Sequence, residues 1–374
     1  MKLLKNIDEI KSQIILNSDA HDLIFLGRAA TAMLIAYKAI VSKYNIAEPE
    51  IILPAISCAT PVNVALMSGL KPRFADIDLE TGLTNLEYIQ KRYTKNTVAV
   101  VFIHSYGNTQ DLLPLRKWCD LNNIILIEDN AQALGAYLPC GNPVGFYGDF
   151  SIYSFNLTKT IETGGGALVI KNKKFTDICN SIYQSIFSSS NKVSIEKKSM
   201  LSLIYRNLHH SFVMLDRINI SPKIDNFFGD LQSVFEPLNI AEYIHNDKFI
   251  SEWNNLDNIN SLRVNNAAIY SEQLIKYSNF KIISNFQQSK VCWRYSLLIE
   301  DENSLISISE NVRKDGFHLS NLYWPLNYFF KSDDLCPNAS SFARKIINLW
   351  VDKSVNELYI KNCTESLIKH TLAT

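Results

Sequence analysis

Apolar and polar positions alternate between two periods over the first half of the chain. Arg28 to Val41 predicts a helix of nearly continuous Ala, Met, Leu and Ile, followed by a short strand at Glu50 to Leu53 and a break at Pro54. Further strands are predicted at Arg73 to Ile77, Val98 to His104, Ile124 to Glu128, Phe150 to Phe155 and Ala167 to Ile170, separated by helices such as Leu112 to Asn122. Most of these strands are unbroken apolar runs, as expected when both faces are covered, and the alternation predicts a layered α/β domain.

Past Tyr183 the periodicity fades. Tyr183 to Val234 is rich in Ser, Asn and Lys with aromatic interruptions, and its pattern assigns no element. Within it Met200 to Leu215 has one apolar face with Lys197, Lys198 and Arg206 nearby, which suits packing on the body or a dimer mate more than a membrane surface. A helix-rich stretch runs from Ile240 to Tyr277, and strands return at Cys292 to Glu300 and at Tyr323-Trp324-Pro325. The expected organisation is a large α/β domain over 1–239 and a smaller C-terminal α+β domain over 240–374.

Composition removes several classes of function. The 374 residues are 47% hydrophobic, enough for a sizeable core, and 37 Lys and Arg balance 37 Asp and Glu. No global field therefore recruits nucleic acid or an acidic membrane, and an anionic ligand must be caught locally. The seven cysteines are odd in number, scattered and free of any C-x-x-C pair, which fits reduced thiols in a cytoplasmic protein. Charges at Lys2, Lys5, Asp8, Glu9 and Lys11 interrupt the N-terminus, unlike a signal peptide, and no run approaches the ~20 apolar residues of a membrane span. The adjacent His209 and His210 lack companion ligands at usable spacing, so no metal is expected.

The candidate chemistry lies in the α/β half. Asp129 follows the apolar strand Ile124 to Ile127, and Lys159, thirty residues later, follows the next strand. A carboxylate and an amine so placed can hold two ends of one aromatic cofactor, the layout expected of an enzyme using pyridoxal phosphate (PLP). Asp129 taken alone serves equally well as a cap for a following helix. Gly27-Arg28-Ala29 opens a helix, whose free N–H groups and dipole suit a dianion. The run Gly164-Gly165-Gly166 is a turn between strands, a flexible joint, or a close approach of backbone to ligand.

Several blocks in order strengthen this reading: Gly27-Arg28-Ala29-Ala30, Leu53-Pro54-Ala55, Gly69 to Asp78, His104-Ser105-Tyr106-Gly107, Glu128 to Ala136, and Ser154 to Lys159. Together they resemble the DegT/DnrJ/EryC1/StrS family of sugar-nucleotide aminotransferases, PLP enzymes of the aspartate-aminotransferase fold. The resemblance implies a fold-type I PLP transferase: a large mixed-sheet domain and a smaller C-terminal α+β domain. It implies Lys159 as the Schiff-base lysine, Asp129 as partner of the pyridine nitrogen, and Gln132 as partner of the phenolic oxygen. Ser154 and the Gly27-Arg28-Ala29 turn are implied for the phosphate. Arg28 departs from the usual Thr or Ser, and either reaches the phosphate or points outward while the backbone binds.

Cys58 falls where many relatives stack a Trp or Phe on the ring; a thiol offers contact without stacking. His104 reads as a structural hydrogen-bonding residue. Leu322 to Asn327 resembles the Tyr-Pro-x-Pro-Leu-His stretch that borders the substrate in relatives, with Tyr323 either on the substrate side or simply packed. The implied reaction moves an amino group from L-glutamate to a nucleotide-linked keto-deoxy sugar in a homodimer with shared sites, the cross-subunit residues falling between Tyr183 and Leu238. The rivals are a PLP sugar dehydratase, whose family members replace the lysine with histidine, a regulator or binding protein without turnover, and an aminotransferase for a small amino acid or cyclitol.

Overall fold

The computed structural model describes residues 3–156, 158–189 and 247–373. The Met200 to Leu215 segment, His209, His210, Leu157 and the expected cross-subunit residues from 190 onward lie outside the described residues.

Seven strands form the main sheet: β1 (Asp22–Leu26), β2 (Glu50–Pro54), β3 (Lys71–Ala75), β4 (Thr97–Ile103), β5 (Ile125–Asp129), β6 (Phe150–Ser154) and β7 (Gly166–Ile170), in the order β1-β7-β6-β5-β4-β2-β3. The five strands from β3 to β6 run parallel, while β7 is antiparallel to both β6 and β1. Every residue of β2, β4, β5, β6 and β7 is buried, the physical counterpart of their continuous apolar sequences.

Helix α1 (Ile7–Ser18) packs near β1, and α2 (Ala29–Lys43) lies against β6, β7 and α3 (Thr60–Met67). Nearly all of α2 is apolar and buried, as a helix enclosed on several sides must be. Arg28, expected inside that helix, is instead its N-cap, with extended backbone (φ −155°, ψ 150°) bridged to Gly165.

A second, antiparallel sheet has the order β10-β11-β9-β8, from β8 (Phe280–Ile282), β9 (Tyr295–Ile299), β10 (Leu319–Ser320) and β11 (Ile346–Leu349). Its core joins Leu297, Ile299 and Ile347 to Tyr270 and Leu274 of the helix Leu256–Leu274 and to Ile360 and Leu367 of the helix Glu357–Leu372. The helix Asp247–Asn254 packs elsewhere: Phe249 and Trp253 join Ile10, Ile14, Phe155 and Ile161 on the main body.

Tyr323-Trp324-Pro325 is not a strand. Pro325 makes a single bridge to Ile56, and the Leu326 amide donates to Ala55 O at 2.7 Å, so this segment is docked on the main body and belongs to no ladder. Proline has no N–H to extend a ladder there. The docking continues downstream. The Asp76 carboxylate accepts the amides of Asn338 and Ala339, capping the helix Pro337–Ala343, and Arg73 pairs with buried Asp334 at 2.9 Å. One core cluster accordingly contains Phe74, Tyr106, Trp293, Tyr323 and Phe342, and the two sheets share an apolar seam.

Candidate active site

The carboxyl ends of the parallel strands converge on one edge of the main sheet, where open α/β sheets place their ligands. Asp129 ends β5, Ser154 ends β6, His104 follows β4, and Cys58 follows β2 after a short loop. Lys159 sits in the loop joining β6 to β7.

Backbone bonds pin that loop at both ends. Phe155 N donates to Gly165 O, Thr163 and Gly164 both donate to Phe155 O, and the Lys159 amide donates to Asn156 O. Thr158 occupies the left-handed region (φ 73°), its N–H donating to Glu162 Oε1 at 2.6 Å and its carbonyl accepting the Trp293 indole N–H at 2.6 Å. A β-branched residue with positive φ is disfavoured, so the surrounding bonds hold the lysine loop in a conformation it would not choose alone.

Lys159 and Asp129 lie within electrostatic reach of each other. Burial lowers the Lys159 amine below the usual lysine range; Arg294 acts in the same direction, while Cys58 and Asp129 oppose it. Burial raises the Asp129 carboxyl, and the amide of Ala131, Lys159 and His104 oppose that. The Cys58 thiol, raised by burial, senses both Lys159 and Asp129, and so lies with them. Asp129 caps no helix: the residues after it form turns, and its Oδ1 accepts the Ala131 amide at 2.9 Å.

Gln132 is buried, with neither a helix nor solvent around it. Its Oε1 accepts the Tyr106 amide at 2.7 Å and its Nε2 donates to Tyr323 Oη at 2.8 Å. Tyr106 (φ 64°) donates its hydroxyl to Leu322 O and packs near-parallel to Tyr323, with ring centres 6.3 Å apart. On the other side Trp293 lies parallel to Tyr323 (6.4 Å, 6°), its ring centre 5.4 Å from Lys159 Nζ.

The start of α2 lies beside the end of β6 and the start of β7. Ala29 and Ala30 are the first helical residues, so their amides have no intrahelical acceptor. Thr31 in the same turn has a buried hydroxyl with no hydrogen-bond partner among the described residues. Gly166 is the reason the turn comes so close. A Cβ there would stand 2.4 Å from Ala29 N, and Gly166 is also the cross-strand partner of Ser154. Of the three readings of the glycine run, the structure realises the turn between strands, since Gly164 and Gly165 have positive φ in the connection from β6 to β7; Gly166 approaches the backbone of Ala29 and so brings Ser154 beside Gly27-Arg28-Ala29.

His104 is structural in its contacts. Fully buried, it meets Glu128 at 3.2 Å, and Glu128 also accepts the amides of Gly145, Tyr147 and Gly148. This knot braces the end of β5 directly beneath Asp129. No group of three or more His, Cys, Asp or Glu placed to hold a metal occurs among the described residues, and no described helix is long and apolar enough to cross a membrane.

The structure thus brings Lys159, Asp129 and Cys58 within reach of one another, ties Gln132 to Tyr323, and sets Ser154 beside Gly27, Arg28 and Ala29. It adds residues that sequence reasoning missed: Thr31, Tyr106, Trp293, Arg263 and Arg294. One signal was available, an arginine inside the apolar run Cys292 to Glu300, where a charge has to be paid for by a partner.

Residues 17–201 match the DegT/DnrJ/EryC1/StrS aminotransferase family. A GDP-perosamine synthase of Vibrio cholerae is 37% identical over 123 residues, 33% of this chain and 33% of that protein. A GDP-4-keto-6-deoxy-D-mannose 3-dehydratase of Escherichia coli O55:H7 is 29% identical over 155 residues, 41% of this chain and 39% of that protein. The matched segment thus spans about a third of the length of the first of these relatives. In structure, Helicobacter pylori PseC, an aminotransferase involved in the biosynthesis of pseudoaminic acid, superposes with a TM-score of 0.75 at 18% identity, covering 99% of this chain and 92% of that one. That likeness establishes the fold, with its mixed sheet and smaller C-terminal part, over almost the whole described chain. Residues 17–201, which carry the strands that present Asp129, Ser154 and Lys159, are thus similar to the DegT/DnrJ/EryC1/StrS aminotransferase family.

Proposed function

We propose that the chain is a PLP-dependent aminotransferase that moves an amino group from L-glutamate to a nucleotide-linked keto-deoxy sugar, in bacterial surface-polysaccharide or related sugar biosynthesis. It works as a cytoplasmic homodimer with shared sites, its large and small domains meeting near residue 240. The observation that carries the reading is that Lys159, in the loop between β6 and β7, and Asp129, at the end of β5, lie within electrostatic reach of each other and of Cys58.

The residues present fit the cofactor. The amides at the start of α2 and the unpartnered Thr31 hydroxyl leave donors for a phosphate dianion, with Ser154 alongside. Asp129 would hold the ring nitrogen, Lys159 would anchor the group through its amine, and Cys58 would cover one face. Gln132 would reach the phenolic oxygen only by sharing the amide that now serves Tyr323. When bound, PLP supplies an aldehyde that takes up amines and a protonated ring that draws electrons from the bond being broken.

The chain's own residues supply the rest. Burial lowers the Lys159 pKa, so more of its amine is neutral near physiological pH and able to take the α-proton of the amino donor. Burial raises the Asp129 carboxyl, and the Ala131 amide, ahead of Lys159, works against that rise; a protonated ring nitrogen facing it would favour the anion further. Tyr323, fixed by Gln132 and flanked by Tyr106 and Trp293, borders the substrate side.

PLP-loaded protein should absorb in the visible range, and L-glutamate should bleach that band while releasing 2-oxoglutarate. Lys159→Ala should retain PLP and lose turnover by several orders of magnitude. A loaded wild-type protein indifferent to L-glutamate would count for a regulator. Deoxygenation of a keto-sugar nucleotide without net amino transfer would count for a dehydratase, a reading that the lysine at 159 disfavours.

A further inference from the structure

We infer that Tyr37 is a further positioning residue of this site, whose hydroxyl donates to the Asp129 carboxylate when the cofactor is in place. The inference rests on the PLP reading above.

The two faces of the main sheet fix which helix Asp129 turns toward. Ile125 and Ile127 of β5 belong to the core cluster that holds most of α2, whereas Leu126 belongs to the cluster on the other face, with Leu115 and Cys119. Side chains alternate along a strand, so Asp129 takes the face of Ile125 and Ile127, the one covered by α2. Ser154 takes the same face, two residues after Ile152. On α2 itself, Ala30, Met33 and Tyr37 recur at helical spacing and are all buried. That stripe begins at the helix entrance, where the first amides have no intrahelical acceptor, and Tyr37 lies about 10 Å farther along the axis at ~1.5 Å per residue.

Tyr37 is 0% exposed, and its hydroxyl has no hydrogen-bond partner among the described residues. Native interiors keep few such groups, because a buried hydroxyl that gave up water and gained nothing is costly. Burial, then the charge of Asp129 and then that of Cys58, hold the Tyr37 pKa well above the ordinary tyrosine value, so the group is a donor and not an anion. Of the two groups that act on it, the carboxylate is the stronger acceptor, since sulfur accepts weakly. Asp129 has room for it. Its Oδ1 takes the Ala131 amide, and its Oδ2 takes no donor from the described residues.

The other polar side chains near Asp129 are committed elsewhere. His104 gives its Nε2 proton to Glu128, which leaves Nδ1 of the neutral ring without one. Tyr323 shares its hydroxyl with Gln132. An unused donor on α2 and an unused acceptor at the end of β5 thus occupy one face of the sheet, within electrostatic reach. A protonated ring nitrogen facing Asp129 favours its anion, and an anion draws a neighbouring O–H more strongly than a neutral carboxyl does. Held by the Ala131 amide and by Tyr37, the carboxylate cannot turn away from the ring nitrogen.

The test measures PLP affinity by absorbance titration, and cofactor-free stability by thermal unfolding, in wild type, Tyr37→Phe, Asp129→Ala and the double variant. Tyr37→Phe should weaken PLP binding about 5- to 20-fold. Cofactor-free stability should hold or rise, because the substitution deletes a buried hydroxyl that lacks a partner. In the Asp129→Ala background the same substitution should change PLP affinity less than about 2-fold. Equal weakening in both backgrounds, or unchanged affinity in Tyr37→Phe, overturns the inference. If Asp129→Ala takes up no PLP, a crystal structure of the loaded wild type decides. Tyr37 Oη within hydrogen-bond reach of an Asp129 oxygen sustains the assignment, and a hydroxyl bonded elsewhere or to nothing sinks it. A wild type that takes up no PLP would remove the PLP reading and this inference together, whereas an uncoupled Tyr37 in a protein that loads PLP removes this inference alone.

Discussion

The indole N–H of Trp293 donates to the carbonyl of Thr158 at 2.6 Å, tying a residue of the C-terminal part to the one just before Lys159. The same tryptophan receives two arginine donors on its own carbonyl, and its amide donates to Tyr106 O. Trp293→Phe keeps a ring but removes the indole donor. It should cost about 1 kcal/mol in urea unfolding, with an unchanged dependence on denaturant. No change in midpoint would mean that the loop is held by its other bonds alone.

Gly166 sets the entrance to α2. Alanine there must displace backbone, because Ala29 N and Cα would lie 2.4 and 2.8 Å from the new Cβ. Gly166→Ala should lower stability by about 1–3 kcal/mol and weaken PLP binding, read by dialysis of the loaded protein. Gly164→Ala meets nothing within 4 Å, although its φ of 82° strains a side chain. It should cost about 1–2 kcal/mol of backbone strain and spare PLP affinity.

The Gln132–Tyr323 hydrogen bond should appear as a coupling. Tyr323→Phe removes one hydroxyl and should cost about 1 kcal/mol. Gln132→Leu also strands the buried Tyr106 amide and should cost about 2–3 kcal/mol. A double-mutant cycle should show a non-additive term of about 1 kcal/mol. Strict additivity would show that the two side chains do not interact in solution.

Glu128 accepts four N–H groups in a fully buried place, three of them backbone amides and the fourth from His104. Glu128→Gln would turn an NH₂ toward donors. The expected loss is about 3 kcal/mol, together with weaker PLP binding through displacement of Asp129. Stability equal to wild type in thermal unfolding would remove this knot as the brace of β5.

The two site charges make opposite contributions to stability as pH changes. The Lys159 pKa is lowered on folding, so the penalty for burying its ammonium is fully present below the folded-state value and fades as pH rises toward the ordinary lysine range. The Asp129 pKa is raised, so its penalty appears as pH climbs through the carboxylate range and persists above it. Cofactor-free Lys159→Met should therefore be more stable than wild type at neutral pH, with the gain shrinking in alkali. Cofactor-free Asp129→Asn should gain above the carboxylate range and not in strong acid. Urea titrations across pH distinguish both from a pH-independent packing effect.

The apolar runs by themselves determined the parallel strands β2 to β6, and so determined that Asp129 and Ser154 would end up on one sheet edge, because a strand buried on both faces permits few registers and its loops must leave at the ends. Spacing also marked Lys159 and the helix entrance at Gly27-Arg28-Ala29. What only the tertiary structure decided are the contacts between segments far apart in the chain. Trp293 braces the lysine loop, Tyr323 meets Gln132, Gly166 admits Ala29, and two arginines share the Trp293 carbonyl. The reason is physical: hydrophobic periodicity records which face of an element is covered, whereas a hydrogen bond or ion pair between distant segments depends on where packing brings their backbones, and that leaves no repeat in the sequence.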